Sequence, residues 1–268
     1  MAKRKHQGKP APSDRNFGEL THKFKNNIYG TNKGKIREAV LQRDLHAQLD
    51  WLGHATDKRV LDVGGGQGQL ALYLAALGHH VTVIDISDEM LELARTRANE
   101  AGLCERMRFI RAPLQEIAQL SLGQFDLVMC HAVLEWLVDQ RSAIDLLKAQ
   151  VSPSGALSLM YFNHEAHLMA NMVYGNFDYV QKGLKVKQKV GLSPNNPIKQ
   201  ADMAAWLEAA KLTIAQKTGV RCFHDYLREL NKADDDFDAL LELELKYNRQ
   251  EPYASIGRYT HLMLIPIK

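Results

Sequence analysis

The feature that most constrains the fold is an apolar segment that runs directly into a cluster of glycines. Residues 59–68 read Arg-Val-Leu-Asp-Val-Gly-Gly-Gly-Gln-Gly. Because glycine lacks a Cβ atom, this segment can turn sharply and let a ligand approach the main chain. A second apolar segment, Thr82-Val83-Ile84-Asp85, ends in an acid where a neighbouring parallel strand would end. Together they predict a pocket for an adenosine-containing cofactor, with the carboxylate accepting the ribose hydroxyls.

The spacing of the glycines narrows the class of cofactor. The order Gly64-x-Gly66-x-Gly68 departs from the G-x-G-x-x-G spacing of dinucleotide-binding loops, so NAD ranks second. A P-loop is excluded because no Lys-Ser or Lys-Thr pair follows the glycines. S-adenosylmethionine is the favoured cofactor, since it needs close main-chain approach but no phosphate site.

Strand and helix patterns alternate along most of the chain. This alternation predicts an α/β fold with a doubly wound, mostly parallel sheet, helices on both faces and ligands at the carboxyl ends of the strands. An amphipathic helix is expected from Asn32 to Leu52, and residues 163–198 are expected to form an insertion over the ligand edge. A helix near 200–211, a strand at 212–220 and a closing strand from Tyr259 complete the core. Earlier strands are predicted at 59–63, 80–85, 107–111, 125–130 and 156–162, and helical segments near 68–77, 88–101, 115–120 and 139–151.

Composition and cysteine usage indicate a globular cytoplasmic protein. The 268 residues are 46% hydrophobic and 24% charged, and no apolar run is long enough to cross a membrane. Three cysteines without C-x-x-C spacing indicate neither a disulfide framework nor a zinc site. His164 and His167 do not match the H-E-x-x-H spacing and lack a third ligand, so no metal is expected. Residues 1–13 are expected to be a basic flexible arm, and residues 14–268 a single domain.

Positive charge is concentrated in two parts of the chain, although the net charge is only +3. Residues 1–60 hold 13 Lys or Arg against 6 Asp or Glu, and residues 179–201 hold 5 Lys and no acid. A local positive field of this kind attracts polyanions such as nucleic acid. A solvated tail and a solvated loop are the alternative interpretation.

Six segments outside the glycine cluster carry a specific resemblance. They are Asn27-Ile-Tyr-Gly-Thr-Asn-Lys-Gly-Lys-Ile-Arg37, His131-Ala-Val-Leu-Glu-Trp136, Gly175-Asn-Phe-Asp-Tyr179, Lys217-Thr-Gly-Val-Arg221, His224-Asp-Tyr-Leu-Arg228 and Arg249-Gln-Glu-Pro-Tyr253. With them, the chain from about Asp14 onward resembles the bacterial tRNA 5-carboxymethoxyuridine methyltransferases, within the class I S-adenosylmethionine-dependent methyltransferases.

The resemblance implies a Rossmann-like seven-stranded sheet whose last strand is antiparallel. It also implies methyl transfer to the carboxylate of 5-carboxymethoxyuridine at the wobble position, in the anticodon region of tRNA. In physical terms Arg37 can pair with the cofactor carboxylate, and Gln115 can hydrogen-bond the adenine edge. The residues that it implies for cofactor contact are Arg37, Gly64, Gly65, Asp85, Leu114, Gln115 and His131.

No catalytic general base is expected. A carboxylate acceptor has a reference pKa near ~4, so it is already deprotonated at neutral pH. The residue that should matter is a cation that orients this carboxylate, for which the candidates are Lys33, Arg221 and Arg258. Bases of tRNA could stack on Tyr29, Tyr179 and Tyr253, and phosphates could bind Lys185, Lys187 and Lys189.

Other functions stay open on the residues alone. One is a methyltransferase of a small-molecule carboxylate, and another is an enzyme that transfers a carboxymethyl group to the same tRNA base. A third is a non-catalytic sensor that binds the cofactor and RNA without turnover.

Overall fold

A seven-stranded sheet forms the centre of the molecule. The computed structural model describes residues 30–184 and 196–267. The strands are β1 Arg59–Val63, β2 His80–Asp85, β3 Met107–Arg111, β4 Phe125–His131, β5 Val151–Phe162, β6 Leu212–Val220 and β7 Tyr259–Pro266.

The strand order is β3-β2-β1-β4-β5-β7-β6. Neighbouring strands from β3 to β5 pair in parallel, whereas β7 runs antiparallel to both β5 and β6. The doubly wound, mostly parallel sheet with an antiparallel last strand is therefore confirmed. The order reverses between β1 and β4, and ligands of such sheets bind at the carboxyl ends of the strands beside that reversal.

Helices cover both faces of the sheet. Alternate residues of the central strands enter two different apolar clusters: Val60 and Leu127 lie in one, and Leu61 and Val128 lie in the other. Strands buried on both faces read as continuous apolar runs, as β1 and β4 do. The helices are α1 Asn32–Gln48, α2 Gln69–Ala76, α3 Asp88–Glu100, α4 Gln140–Ala149, α5 His164–Val173, α6 Phe177–Gln181, α7 Gln200–Ala209, α8 Lys232–Asp235, α9 Phe237–Tyr247 and α10 Tyr253–Ile256.

The first helix is shorter than predicted. It begins after Thr31, whose hydroxyl accepts a hydrogen bond from the N–H of Gly34, and it ends at Gln48 rather than Leu52. Leu52 is nevertheless buried, because the turn after α1 folds it into the same apolar cluster as Leu45. Because Leu52 continues the apolar spacing of the helix, the sequence predicted a helix that extends to this residue.

The fifth strand begins earlier than predicted. It starts at Val151, inside the helix predicted for 139–151, and its register with β4 shifts between Phe125 and Leu127. Ser152, Pro153 and Gly155 resemble turn residues in the sequence, but they lie in this irregular first part of the strand. The predicted helical segment at 115–120 is a 3₁₀ helix, Leu114–Leu120.

The segment after β5 lies at the carboxyl edge of the sheet. It contains α5, which is capped by Asn163 through its side-chain oxygen, and the short helix α6. Asn163 also forms an isolated parallel bridge with Ile198. Among the helices of the described residues, none is long and apolar enough to cross a membrane.

Candidate active site

The glycine loop after β1 is built so that only glycine fits at its first two positions. Gly64 has φ 70°, and a Cβ atom there would collide with the side chain of Val133. A Cβ atom at Gly65 would lie 2.6 Å from Oδ2 of Asp62 and 2.9 Å from Cγ1 of Val83. The N–H of Gly64 donates to the carbonyl of Ile84 on β2 at 2.7 Å. The loop is thus held against the end of the neighbouring strand, with its main chain at the sheet edge.

Asp85 ends β2 beside this loop. Its Oδ2 accepts a hydrogen bond from the N–H of Gly66 at 2.9 Å, and its Oδ1 accepts one from the N–H of Ser87 at 2.8 Å. Burial raises the pKa of Asp85, while the N–H groups of Ser87, Gly66 and Ile86 oppose the rise. Each oxygen keeps a further lone pair, so the carboxylate is fixed in direction and can still accept hydroxyl groups.

A cavity of about 1040 Å³ of empty space, partly open to solvent, lies at the ends of β1 to β4. Two smaller cavities of about 550 and 310 Å³ adjoin it, and Arg37 of α1 lines all three. Six of the seven residues predicted for cofactor contact line the large cavity, and Gly65 lines the second. The six are Arg37, Gly64, Asp85, Leu114, Gln115 and His131.

Each predicted residue reaches the cavity from a different element. Leu114 and Gln115 begin the 3₁₀ helix after β3, and His131 is the last residue of β4. Sequence reasoning missed most of the apolar wall, because its members follow the motif residues without a pattern of their own. That wall includes Ile86, Met90, Ala112, Val133, Trp136 and Leu137.

Asp62 was also missed. This buried acid on β1 lines the second cavity, and burial together with the charge of Asp85 raises its pKa to about 7. The signal in the sequence was an acid inside the apolar run Val60-Leu61-Asp62-Val63. A buried acid with a pKa near neutrality is typical of a functional site.

The third cavity holds two of the three predicted carboxylate-orienting cations. Lys33, Arg37 and Arg221 line it together with Val220 and Tyr259. Arg221 has φ 61°, its Nε lies 3.0 Å from Oδ2 of Asp225, and its guanidinium lies 5.5 Å from the centre of the Tyr259 ring. Lys33 is exposed and makes no ion pair among the described residues. The cavity therefore has positive charge next to the large cavity.

Three further predicted substrate residues of the described part of the chain, Arg258, Tyr179 and Tyr253, do not line these three cavities. The guanidinium of Arg258 lies 4.7 Å from the centre of the Phe162 ring, and the hydroxyl of Tyr179 lies 3.3 Å from Nε2 of His167. The ring of Tyr253 packs 5.2 Å from that of Phe223. Tyr29, Lys185, Lys187 and Lys189 fall outside the described residues.

Comparison with known proteins identifies the family. Residues 61–159 match the family described as a methyltransferase domain. The chain is 47% identical to the tRNA 5-carboxymethoxyuridine methyltransferase of Escherichia coli (strain K12), over 93% of this chain and 95% of the relative. The chain belongs to the tRNA 5-carboxymethoxyuridine methyltransferase family. It is an S-adenosylmethionine-dependent methyltransferase, as the glycine loop and its partner acid predicted.

More distant relatives of this family member share the fold. The chain is 32% identical to the ubiquinone biosynthesis O-methyltransferase of Aromatoleum aromaticum, over 57% of this chain and 76% of the relative. The crystal structure of magnesium protoporphyrin IX methyltransferase from Synechocystis, with bound S-adenosylhomocysteine, superposes with a TM-score of 0.62 at 19% identity. That superposition covers 94% of this chain and 96% of the other.

Proposed function

We propose that this chain transfers the methyl group of S-adenosylmethionine to the carboxylate of 5-carboxymethoxyuridine at the tRNA wobble position, giving the methyl ester. The observation that carries the proposal is the 47% identity to the Escherichia coli enzyme along nearly the whole of both chains. The cytoplasm is the proposed location, in keeping with the free thiols of Cys104, Cys130 and Cys222.

The residues of the large cavity fit S-adenosylmethionine. In this proposal the carboxylate of Asp85 accepts the ribose hydroxyls, and the guanidinium of Arg37 pairs with the carboxylate of the amino-acid tail. Leu114 and Gln115 hold the adenine by apolar contact and by a side-chain amide. The glycine loop supports the tail by close main-chain approach through Gly64 and Gly65. Bound there, the cofactor supplies an electrophilic methyl group.

The acceptor needs orientation rather than proton removal. A carboxylate with a pKa near ~4 is deprotonated at neutral pH, so no general base is required. Holding the reacting groups in line can lower the barrier by about 7–11 kcal/mol relative to a free encounter. The chain's contribution is therefore to align the acceptor oxygen with the methyl group and to exclude water.

The third cavity is the proposed place for the acceptor carboxylate. Lys33 and Arg221 line it, and Arg37 separates it from the pocket proposed for the cofactor. Asp225 already pairs with Arg221, whereas the ammonium of Lys33 is exposed and makes no ion pair with a described residue, so Lys33 is proposed to move toward the acceptor. Tyr259 forms a wall of this cavity and is an apolar surface for the base. Arg258 lies outside the cavity and is proposed only as a contact to the surrounding RNA.

The anticodon stem and loop are the proposed RNA partner. The basic stretch that includes Lys185, Lys187 and Lys189 would bind phosphates, as part of a substrate-side segment near residues 163–198 of a single domain. Tyr29, Tyr179 and Tyr253 are proposed for stacking on unpaired bases, which is how proteins usually read single-stranded RNA. These RNA contacts are therefore proposed from the chemistry of the residues and from the family to which the chain belongs.

Nucleoside mass spectrometry tests the proposal directly. The protein is incubated with methyl-labelled S-adenosylmethionine and with tRNA that already carries 5-carboxymethoxyuridine. We expect the modified uridine to gain the mass of one labelled methylene group, and mild base to remove it, as an ester requires. A parallel reaction contains the carboxylated form of the cofactor and tRNA that carries 5-hydroxyuridine, and gain of a carboxymethyl group there would contradict the proposal. Labelling of an added small-molecule carboxylate in place of tRNA, or cofactor binding without turnover, would contradict it as well.

A further inference from the structure

A buried row of polar side chains runs along one face of the sheet, from the large cavity across β4, β5 and β7 to α1. Nε2 of His131 lies 2.8 Å from Oγ of Ser158, and this Oγ lies 2.8 Å from Nε2 of His261. Nδ1 of His261 in turn lies 2.8 Å from Oδ2 of Asp44. Ser158, His261 and Asp44 are fully buried, and they come from β5, β7 and α1. Four side chains from four elements thus form one continuous set of hydrogen bonds that ends at the pocket.

The far end of this row carries more positive than negative charge before any proton is placed on His261. Oδ1 of Asp44 accepts a hydrogen bond from Nη2 of Arg43 at 2.8 Å and another from Nη2 of Arg249 at 2.8 Å. One carboxylate therefore already faces two guanidinium groups. A proton on His261 would make three positive charges share the single buried carboxylate of Asp44, which is costly.

The number of hydrogens then sets the direction of every bond. With neutral His261 donating its Nδ1–H to Asp44, its Nε2 can only accept. The single hydroxyl hydrogen of Ser158 satisfies that acceptor, and the oxygen of Ser158 is left to accept. The bond between Ser158 and His131 therefore requires a hydrogen on Nε2 of His131, which leaves Nδ1 of that ring as an acceptor.

We propose that an uncharged His261, together with Ser158 and Asp44, positions His131 as a neutral ring, with its proton on Nε2 and its acceptor Nδ1 available at the cofactor pocket. The inference rests on the proposed function, in which this pocket seats S-adenosylmethionine. A neutral ring matters there because the cofactor carries a sulfonium charge, which a protonated ring would repel. Burial is the main reason that the pKa of His131 lies well below its usual value, in agreement with a neutral ring.

The tautomer is measurable without cofactor, tRNA or turnover. Protein labelled with ¹⁵N-histidine gives long-range proton–nitrogen correlations that show which ring nitrogen carries the hydrogen. The signals of His131 are identified by their loss in His131→Gln. We expect the wild-type ring to be neutral with the hydrogen on Nε2. A hydrogen on Nδ1, a charged ring at neutral pH or a rapid mixture of both tautomers would overturn the proposal.

Variants separate positioning from a general role in folding. Ser158→Ala should convert the ring of His131 to a mixture of tautomers, and it should weaken S-adenosylhomocysteine binding about twofold, because only part of the population then presents Nδ1 as an acceptor. The matched control is Ser152→Ala, the same substitution on the same strand, where the hydroxyl makes no hydrogen bond among the described residues. This control should change neither readout. Ser158→Thr returns the hydroxyl and should restore the wild-type tautomer.

The binding measurement and the tautomer measurement can contradict the two proposals independently. If wild-type protein binds no S-adenosylhomocysteine, the proposed function fails while the tautomer still reports on the row of hydrogen bonds. If Ser158→Ala keeps the tautomer of the wild-type ring, the positioning proposal is wrong even where the cofactor binds. Should Ser158→Ala fail to fold, the wild-type tautomer alone decides.

Discussion

At the level of single residues, Lys33 is the side chain most open to a direct test of acceptor binding. We expect Lys33→Gln to lower kcat/KM for tRNA about 10- to 100-fold, because a charged hydrogen bond to the acceptor carboxylate is lost. Affinity for S-adenosylhomocysteine should stay within about twofold, since Lys33 lines only the third cavity among those described. Steady-state kinetics and calorimetry measure the two quantities.

Lys35 provides the matched control on the same helix. It is exposed like Lys33, but its ammonium lies 5.1 Å from the centre of the Phe237 ring and lines none of the three cavities. Lys35→Gln should therefore leave kcat/KM almost unchanged. Equal losses in both variants would show that the charge of Lys33 acts as a general attraction for RNA rather than on the acceptor.

At the level of elements, the sequence predicted what short segments encode by themselves. The central strands β1, β2 and β4 are largely apolar runs between turn residues, and such runs are typical of strands buried on both faces. The first part of β5 could not be predicted, because Pro153 and Gly155 are turn residues in most settings. Gly155 is required there, since a Cβ atom would lie 2.7 Å from the carbonyl oxygen of Phe125 on β4.

In the site, too, some residues could be predicted from the sequence and others could not. Gly64 and Asp85 are close in sequence and belong to adjacent strand ends, so the topology of a parallel sheet brings them together. The buried row behind His131 had no such signal. Asp44 and His261 are separated by 217 positions, and Ser158 and His261 by 103. Only the insertion of β7 between β5 and β6 places these polar side chains in contact.

At the level of the whole molecule, stability should depend on pH through Glu135. This acid is fully buried, and burial raises its pKa to about 7 although the N–H groups of Glu135 and Phe162 oppose the rise. Between about pH 4.5 and 7 the folded state therefore binds more protons at this site than the unfolded state does. As the pH rises through that window, the contribution of Glu135 to the free energy of unfolding should therefore fall by roughly 3 kcal/mol.

Glu135→Gln should remove that part of the pH dependence. Relative to the wild type, the variant should gain roughly 3 kcal/mol between pH 4 and pH 8, because its amide does not ionise. Urea unfolding at several pH values measures the difference. A difference between the two proteins that is constant with pH would show that Glu135 titrates normally in the folded state.

The central claim is that the glycine loop and Asp85 together seat S-adenosylmethionine, and calorimetric titration with S-adenosylhomocysteine tests it most directly. We expect one site per chain in the wild type, and a loss of about 10- to 100-fold in affinity for Asp85→Ala, because two charged hydrogen bonds disappear. Asp88→Ala, at the exposed start of α3, should bind as the wild type does. Absence of binding heat in the wild type, or equal affinities for wild type and Asp85→Ala, would contradict the account.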